Sequence, residues 1–385
     1  VNCGEVLRID VCFSQAIVFS RNLSYNLREK TSLERLIMRN FDYIGLKNQK
    51  WDSETVAYIA AIHEAKGRQE LYLKQKPQEL DKLVEIARIQ STETSNEIEG
   101  IRTTNTRLKQ LLSDKATPRT SDEEEIVGYR DALNVIHENY EYIPCTANYI
   151  LQLHKILYSH SGKSVGGKFK NVQNYINAVG DDGKEFTIFT PLAPYETPIA
   201  VDVICEQFNR AIAEGEVDPL ILIPIFIHDF LCIHPFSDGN GRMSRLLTTL
   251  LLYRCGYFVG GYISLEAKIA KSKDLYYDAL SAAQVGWYEG KDDPSAFVKY
   301  ILGTIISAYR DFEDRMELVS EKLPALEMVR KAVRSQIGKI TKMRVLALCP
   351  SLCASSVEVA LKKLAKSGEL TKRGAGRSTF YVRID

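Results

Sequence analysis

The stretch Ile233-His234-Pro235-Phe236-Ser237-Asp238-Gly239-Asn240-Gly241-Arg242-Met243-Ser244-Arg245 decides how this chain is read. Gly239-Asn240-Gly241 can turn successive backbone N–H groups toward one point, and it opens a helix whose N-terminus carries positive partial charge, so it forms an anion cradle suited to phosphate. Arg242 and Arg245 share one face of that helix's first turns, where cations are unfavourable unless an anion compensates them, and the placement asks for a polyphosphate. Asp238, just before the cradle, would be repelled by phosphates unless a hard cation such as Mg²⁺ lay between them. His234 heads the loop, and neutral imidazole is the usual choice for taking a proton from a hydroxyl nucleophile. Together these residues describe a phosphoryl-type transfer site assembled on one loop.

The flanks of this loop are helical. Leu220 to Ile233 is an apolar run of fourteen residues containing His228 and Asp229, too short for the ~20 needed to span a bilayer and better read as a buried helix. Beyond the loop, Leu246, Leu247, Leu250, Leu251 and Leu252 make Asn240 to Tyr253 apolar nearly all round, the mark of a central bundle helix. Periodicity predicts further helices over Asp202 to Ala213, Ile269 to Ala283 and Pro294 to Phe312, and a helical region from about residue 53, with Leu80, Leu83, Val84 and Ala87 on one face. The bulk of the chain is therefore expected to be α. Between Val165 and Pro198 the pattern breaks: two β-prone runs around Asn174-Tyr175-Ile176 and Phe186-Thr187-Ile188-Phe189 flank Gly180-Asp181-Asp182-Gly183, which reads as a hairpin acting as a flap. After Pro324, a short helix over Ser355 to Ser367, a strand, a Gly-rich turn and a second strand follow two helical stretches, the pattern of a winged helix-turn-helix. Four segments result: 1–52 of unclear role, 53–145, 146–318, and 321–385.

Composition sets outer bounds. The 385 residues, 45% hydrophobic and 26% charged, suit a soluble globular chain of two or three domains. Eight scattered cysteines are too few for a disulfide scaffold, and buried thiols in a reducing cytosol are expected. The first twenty residues, with Arg8, Asp10 and Ser14 among apolar ones, lack a secretion-signal pattern, so a cytoplasmic location and no membrane partner are expected. Net charge is +1, but residues 321–385 hold 14 Lys and Arg against 5 Asp and Glu, leaving −8 for residues 1–320. This points to a separate basic module.

Gly162-Lys163-Ser164 looks like the end of a P-loop, but the pattern needs glycine where Leu157 stands, so a plain loop is expected. Ser121-Asp122-Glu123-Glu124 reads as a capping box opening a helix. His63, His137, His154 and His160 show no ligand spacing.

The central stretch resembles the signature of the Fic family, H-x-F-x-[D/E]-G-N-G-R-x-x-R, at every defined position: His234, Phe236, Asp238, Gly239, Asn240, Gly241, Arg242 and Arg245. The resemblance extends over roughly residues 55–318 and includes His228, six residues before His234. It implies a Fic-type helical bundle with a β-hairpin flap and a protein adenylyltransferase that uses ATP and Mg²⁺ to attach AMP to a Ser, Thr or Tyr hydroxyl. His234 would be the base and Asp238 the metal ligand; Gly239, Asn240 and Gly241 would cradle the α- and β-phosphates, and Arg242 and Arg245 would clamp the β- and γ-phosphates. Phe236 would anchor the loop in the core. Tyr276 and Tyr277, followed by Leu280, match the family's helix near the adenine, whereas Gln284 stands where some relatives place an adenine-binding Asn. Phe189, Thr190 and Pro191 resemble the flap segment that pairs with a target protein.

A second resemblance is Ser95-Asn96-Glu97-Ile98-Glu99-Gly100, which fits the family's inhibitory pattern [S/T]-x-x-x-E-[G/N] at the end of a helix starting near Pro77. Glu99 would pair with Arg245 and remove the γ-phosphate clamp. Three other functions stay open from these residues: removal of AMP from a modified protein, transfer of another phosphate-linked group, and a nucleotide-sensing regulator that contacts DNA or protein through the winged helix. An unidentified target protein, self-modification and a homodimer complete the partners that the resemblance admits.

Overall fold

The computed structural model describes residues 39–384 except 76, 114, 180–183, 321–323, 337, 350 and 351. Most of the first 52 residues and the Gly180–Gly183 turn lie outside the described residues. Helices dominate, and no helix among the described residues is long and apolar enough to cross a membrane.

In chain order the elements are α1 (Ser53–Gln75), α2 (Pro77–Ile98), α3 (Asn105–Leu112), α4 (Ser121–Asn139), α5 (Ala147–Leu157), β1 (Ile176–Val179), β2 (Glu185–Phe189), α6 (Thr197–Glu214), α7 (Pro219–Ile233) and α8 (Asn240–Arg254). They continue with α9 (Leu265–Lys271), α10 (Lys273–Ala283), α11 (Ser295–Ser320), α12 (Ala325–Arg334), α13 (Lys342–Leu348), α14 (Ala354–Lys366), β3 (Leu370–Arg373) and β4 (Phe380–Arg383).

The site is held by two fully buried helices. In α7, Asp218 caps the N-terminus by accepting from the Leu220 amide, Pro219 sits where its missing N–H costs nothing, and every residue from Leu220 to Ile233 is buried. In α8, Asn240 to Tyr253 are all buried. α7 packs on α6 and α8, and α4 packs on α5 and α8, so the short α7–α8 loop is clamped from both ends. β1 and β2 form the expected antiparallel hairpin, with an irregularity between Ile176 and Asn177.

Local chemistry moves some boundaries. The helix expected over Ile269 to Ala283 is two: Ser272 leaves helical dihedrals, its hydroxyl bonds the Lys268 carbonyl and the Tyr300 hydroxyl, and α9 stops at Lys271. The α4 cap is Thr120 rather than Ser121, because Thr120 presents its hydroxyl to the Glu123 amide while Glu123 pairs with Arg107.

The backbone divides into two compact units. The first contains the described residues up to Ile62 with Arg88–Phe258 and Ser264–Ile305; the second contains His63–Ala87, Val259–Ile263 and the chain from Ile306 onward. Within the second, α12, α13, α14 and the β3–β4 hairpin surround their own apolar cluster, including Val329, Ala332, Ile340, Val345, Val357 and Leu361. Part of the N-terminal segment also has a place: Phe41 and Tyr43 are buried in the first unit, and Arg39 pairs with Asp292.

The closest approach of α4 to α5 depends on Gly128, where a Cβ would overlap the Leu157 carbonyl oxygen and meet its carbon at 2.8 Å. Gly128→Ala is therefore expected to destabilise the protein by about 1–3 kcal/mol or more through overpacking against backbone. Gly67→Ala, in α1 with nothing within 4 Å, should raise stability by up to about 1 kcal/mol. Urea denaturation of both variants checks this, and equal midpoints would contradict it.

Candidate active site

The loop that follows α7 begins with strain. His234 adopts φ 51°, the one positive φ at a non-glycine among the described residues, and so closes α7 through its amide bond to the Phe230 carbonyl. Its Nδ1 lies 3.3 Å from the Leu231 carbonyl. A carbonyl only accepts, so Nδ1 carries the proton and Nε2 keeps its lone pair. Burial, then the nearby Lys170 ammonium, push the imidazole down to about 3, which keeps it neutral.

Phe236 is the anchor expected from its place in the motif. It is fully buried, and His154 stacks on it with ring centroids 3.7 Å apart and planes 4° from parallel. His154, without ligand spacing in the sequence, is a core histidine that holds the loop, contacting the Asp238 carbonyl through Nε2 and accepting from the Gly167 amide at Nδ1. Asn240 corrects a simpler reading of the cradle. Its side chain bonds both the amide and the carbonyl of Phe236 at 2.9 and 2.7 Å, so it ties the loop shut while Gly239 and Gly241 leave the backbone approachable. Lys170 and Asn174, which sequence reasoning passed over, complete the scaffold. Lys170 donates to the Ile233 carbonyl and to Asn174, and Asn174 donates to the Phe236 carbonyl. They lie in an irregular segment before the hairpin, where no spacing rule marks them.

No side chain caps α8, whose N-cap is Gly239 at φ 83°. The space above its first turn is taken by Glu99: a Cβ at Gly241 would overlap Glu99 Oε1. Glu99 Oε1 accepts from Arg245 NH2 at 2.7 Å, with both side chains 4% exposed. Ser95 adds its hydroxyl, 2.8 Å from Arg245 Nε, and its carbonyl, 2.9 Å from NH2. The Ser95–Gly100 segment thus sits at the end of α2, where Gly100 at φ 82° turns the chain and the Ile101 amide bonds the Asn96 carbonyl. Both ends of the inhibitory pattern engage one arginine.

Arg242 is placed differently from Arg245. Its NH1 lies 2.7 Å from Glu125 Oε2, and its NH2 donates to Tyr158 at 2.8 Å and lies 3.7 Å from Asp238 Oδ1. Lys163, from the segment expected to be a plain loop, pairs with both Glu125 and Asp238 at 2.8 and 2.9 Å. Burial would raise the Asp238 carboxyl, but Arg242 and Lys163 outweigh it and hold the group below the usual range. Glu125 and Lys163 could not be found from spacing, since they lie 113 and 75 positions from Asp238 in the chain.

Tyr276 and Tyr277 are both buried, Tyr276 edge-on to Phe297 and Tyr300. At the flap, Phe189 stacks on Tyr288 with centroids 6.0 Å apart, Thr190 accepts at its carbonyl from the Tyr288 hydroxyl, and Pro191 accepts from Gln173. Those two carbonyls are already used within the chain. His228 is buried with Nδ1 4.0 Å from Asp292 and Nε2 3.6 Å from Cys232 Sγ. Its neighbour Asp229 accepts from Tyr43 and Trp287, and burial lifts its carboxyl to about 6.

With this geometry in hand, comparison with known proteins gives a consistent assignment. Residues 144–252, which contain the whole motif, match the Fic/DOC family. That stretch is similar to a Fic/DOC domain. It is 27% identical over 139 residues to a Fido domain-containing protein of Dictyostelium discoideum, covering 35% of this chain and 92% of that protein. It is also 27% identical over 309 residues to the protein adenylyltransferase Fic of Drosophila erecta, covering 78% of this chain and 54% of the relative; the chain thus spans about half the length of that enzyme. A Fic family protein from Desulfovibrio desulfuricans G20 shares the fold, with a TM-score of 0.57, 19% identity, and 87% and 97% of the two chains covered.

The buried histidines predict a pH response. Burial first of all lowers His154 to about 4 and His137, His228 and His234 to about 3. The unfolded chain protonates them as pH falls through about 6.5, while the native state does not, so stability should fall with pH in this window. Asp229 acts in the opposite sense, because the native state takes its proton near 6 and the unfolded state only near 4. It offsets one of the four. Calorimetry should show a lower Tm at pH 5 than at pH 7, each uncompensated proton contributing about 1.4 kcal/mol per pH unit; a Tm that rises toward pH 5 would contradict the assignment.

Proposed function

We propose that this chain is a protein adenylyltransferase held in an inhibited state by Glu99. The observation that carries this reading is one uncapped helix N-terminus directly after the His234 loop, with Glu99 seated on that terminus and bonded to Arg245. The adenylyltransferase name of the Drosophila relative supports the class of reaction.

In the proposed reaction a hydroxyl of the target protein gives its proton to His234 Nε2, and its oxygen attacks the α-phosphorus of ATP. A P–O bond to the α-phosphate forms, the bond to the bridging oxygen breaks, and pyrophosphate leaves. The α8 N-terminus and the Gly239 and Gly241 backbone receive the phosphates, and Arg245, once released from Glu99, binds the γ-phosphate. Phe236, Asn240, Asn174 and Lys170 keep the loop rigid, so positioning supplies much of the acceleration. The residues also suit Mg²⁺: the Asp238 carboxylate is ionised at the head of the cradle, and phosphate and water oxygens can complete the octahedral shell that this ion prefers. A divalent ion held by Asp238 would neutralise charge on the nucleotide. Tyr276 and Tyr277 would border the adenine, and Phe189, Thr190 and Pro191 the incoming target. An activity in the cytoplasm is part of this reading.

A second role is favoured by the C-terminal module, read as a winged helix, where Lys363 and Lys366 of α14 and Lys372 and Arg373 of β3 are exposed. Contact with duplex DNA would be salt-dependent, weakening as cation release costs more at high ionic strength.

Intact-protein mass spectrometry after incubation with ATP and Mg²⁺ should detect addition of an AMP unit to the protein itself. His234→Ala should abolish this addition while retaining ATP binding by calorimetry; labelling at the parental rate would remove His234 from the mechanism. Glu99→Gly should raise labelling at least tenfold, equivalent to about 1.4 kcal/mol. Equal labelling of parent and Glu99→Gly would overturn the inhibition, whereas loss of labelling together with loss of AMP removal from a modified substrate would favour the reverse reaction.

A further inference from the structure

The charges beside the motif form a closed quartet whose geometry the adenylyltransferase reading does not use. Two carboxylates, Glu125 and Asp238, each face the same two cations, Lys163 and Arg242. Glu125 Oε1 and Asp238 Oδ2 lie 2.8 and 2.9 Å from Lys163 Nζ, and the opposite oxygens of the same carboxylates face Arg242 at 2.7 and 3.7 Å.

The four members differ in how they are held. Arg242 and Glu125 are buried, at 2% and 6% side-chain exposure, whereas the Lys163 side chain is 39% exposed and comes from the segment between α5 and β1. Lys163 is therefore the member that can leave for solvent without unpacking anything. Arg242 cannot, and its buried Nε and NH1 make no hydrogen bond even though NH1 approaches Glu125. An arginine with unfilled donors, aimed into the quartet, is poised for further oxygen acceptors such as those of a phosphate. Removal of Lys163 would leave two carboxylates converging on one point beside that arginine, with only one positive charge to balance them. That is the donor set of a hard divalent cation, which takes carboxylate oxygens at about 2.0–2.6 Å, and a small inward movement of both groups reaches it.

We propose that Lys163 is a resident cation that occupies a divalent-metal position between Asp238 and Glu125, and that Glu125 is a second carboxylate of that position. The inference rests on reading Asp238 as the metal carboxylate. Lys163 then competes with the metal: bound nucleotide and its ion must displace the ammonium, and the protein without nucleotide keeps the position filled by its own side chain. Charge balance at the buried carboxylates is maintained throughout, which avoids leaving two anions facing each other in a poorly solvated place.

The test is Mn²⁺ binding to the full chain in the absence of nucleotide, read from the loss of free-ion EPR signal. Lys163→Met should bind Mn²⁺ at least tenfold more tightly than the parent, and adding Glu125→Gln to that variant should abolish the gain. Lys163→Gln, which keeps hydrogen-bond donors without the charge, should show the same gain and serves if the methionine variant is unstable by thermal melting. No gain in folded Lys163→Met or Lys163→Gln overturns the proposal, as does a gain that survives Glu125→Gln. The outcome is independent of the function proposed above: tighter Mn²⁺ binding in a protein that never labels itself upholds this inference against that one, and AMP transfer with unchanged Mn²⁺ binding does the reverse.

Discussion

The ion pair between Glu99 and Arg245 fixes the end of α2 against α8. Both side chains are almost fully removed from water, where neither charge could persist alone. Burial by itself would lower the guanidinium, but Glu99 outweighs it and holds Arg245 firmly charged. The same carboxylate lies over the first turn of α8, where partial positive charge at an uncapped N-terminus favours an anion. A carboxylate and a phosphate have equal reason to be there, so on the proposed reading the contact that completes the fold also fills the phosphate's place. Ser95 reinforces the arrangement by giving Arg245 two more acceptors, and a buried net joining Tyr129 and Ser91 to Glu266 holds α2 and α4 near α9.

Around that contact the molecule relies on neutral hydrogen bonds for rigidity and reserves charge for chemistry. The loop is tied by amide and carbonyl partners through Asn240 and Asn174, and His154 supports Phe236 as an uncharged ring. Lys170 is the exception. Burial draws it down to about 7, so its ammonium is only weakly held at neutral pH while it donates to the Ile233 carbonyl beside His234. The neighbouring His234 imidazole stays unprotonated chiefly through burial, with Lys170 adding to the effect.

A second buried assembly lies behind His234. Asp229, one helical turn before the loop, collects Tyr43 and Trp287, while Arg39 reaches Asp292 and the Trp287 carbonyl. Trp287 is fully buried and its neighbour Tyr288 carries the flap through Phe189 and Thr190. The helix that delivers His234 and the segment that supports the flap are consequently fixed to the same charged centre, and residues before α1 contribute to it.

What could be read from the sequence alone was whatever depends on near neighbours in the chain. The motif from His234 to Arg245, the buried helices on either side, the hairpin, and the helix ending at Gly100 each follow from spacing within a dozen or so residues, because helix periodicity, turn chemistry and phosphate cradles are local properties. The break at Ser272 inside one expected helix and the cap at Thr120, one position before Ser121, escape local reading for the opposite reason: a hydroxyl's choice among nearby acceptors depends on its exact dihedrals. The partners of the charges were beyond reach altogether. Lys163 looked like an ordinary loop residue and Glu125 carried no local signal, and only packing α4 against α5 and α8 brings them to Asp238 and Arg242. Which buried charge meets which is a matter of energy in a poorly solvated interior, where the whole fold chooses the counter-ion, and no spacing rule along the chain records that choice.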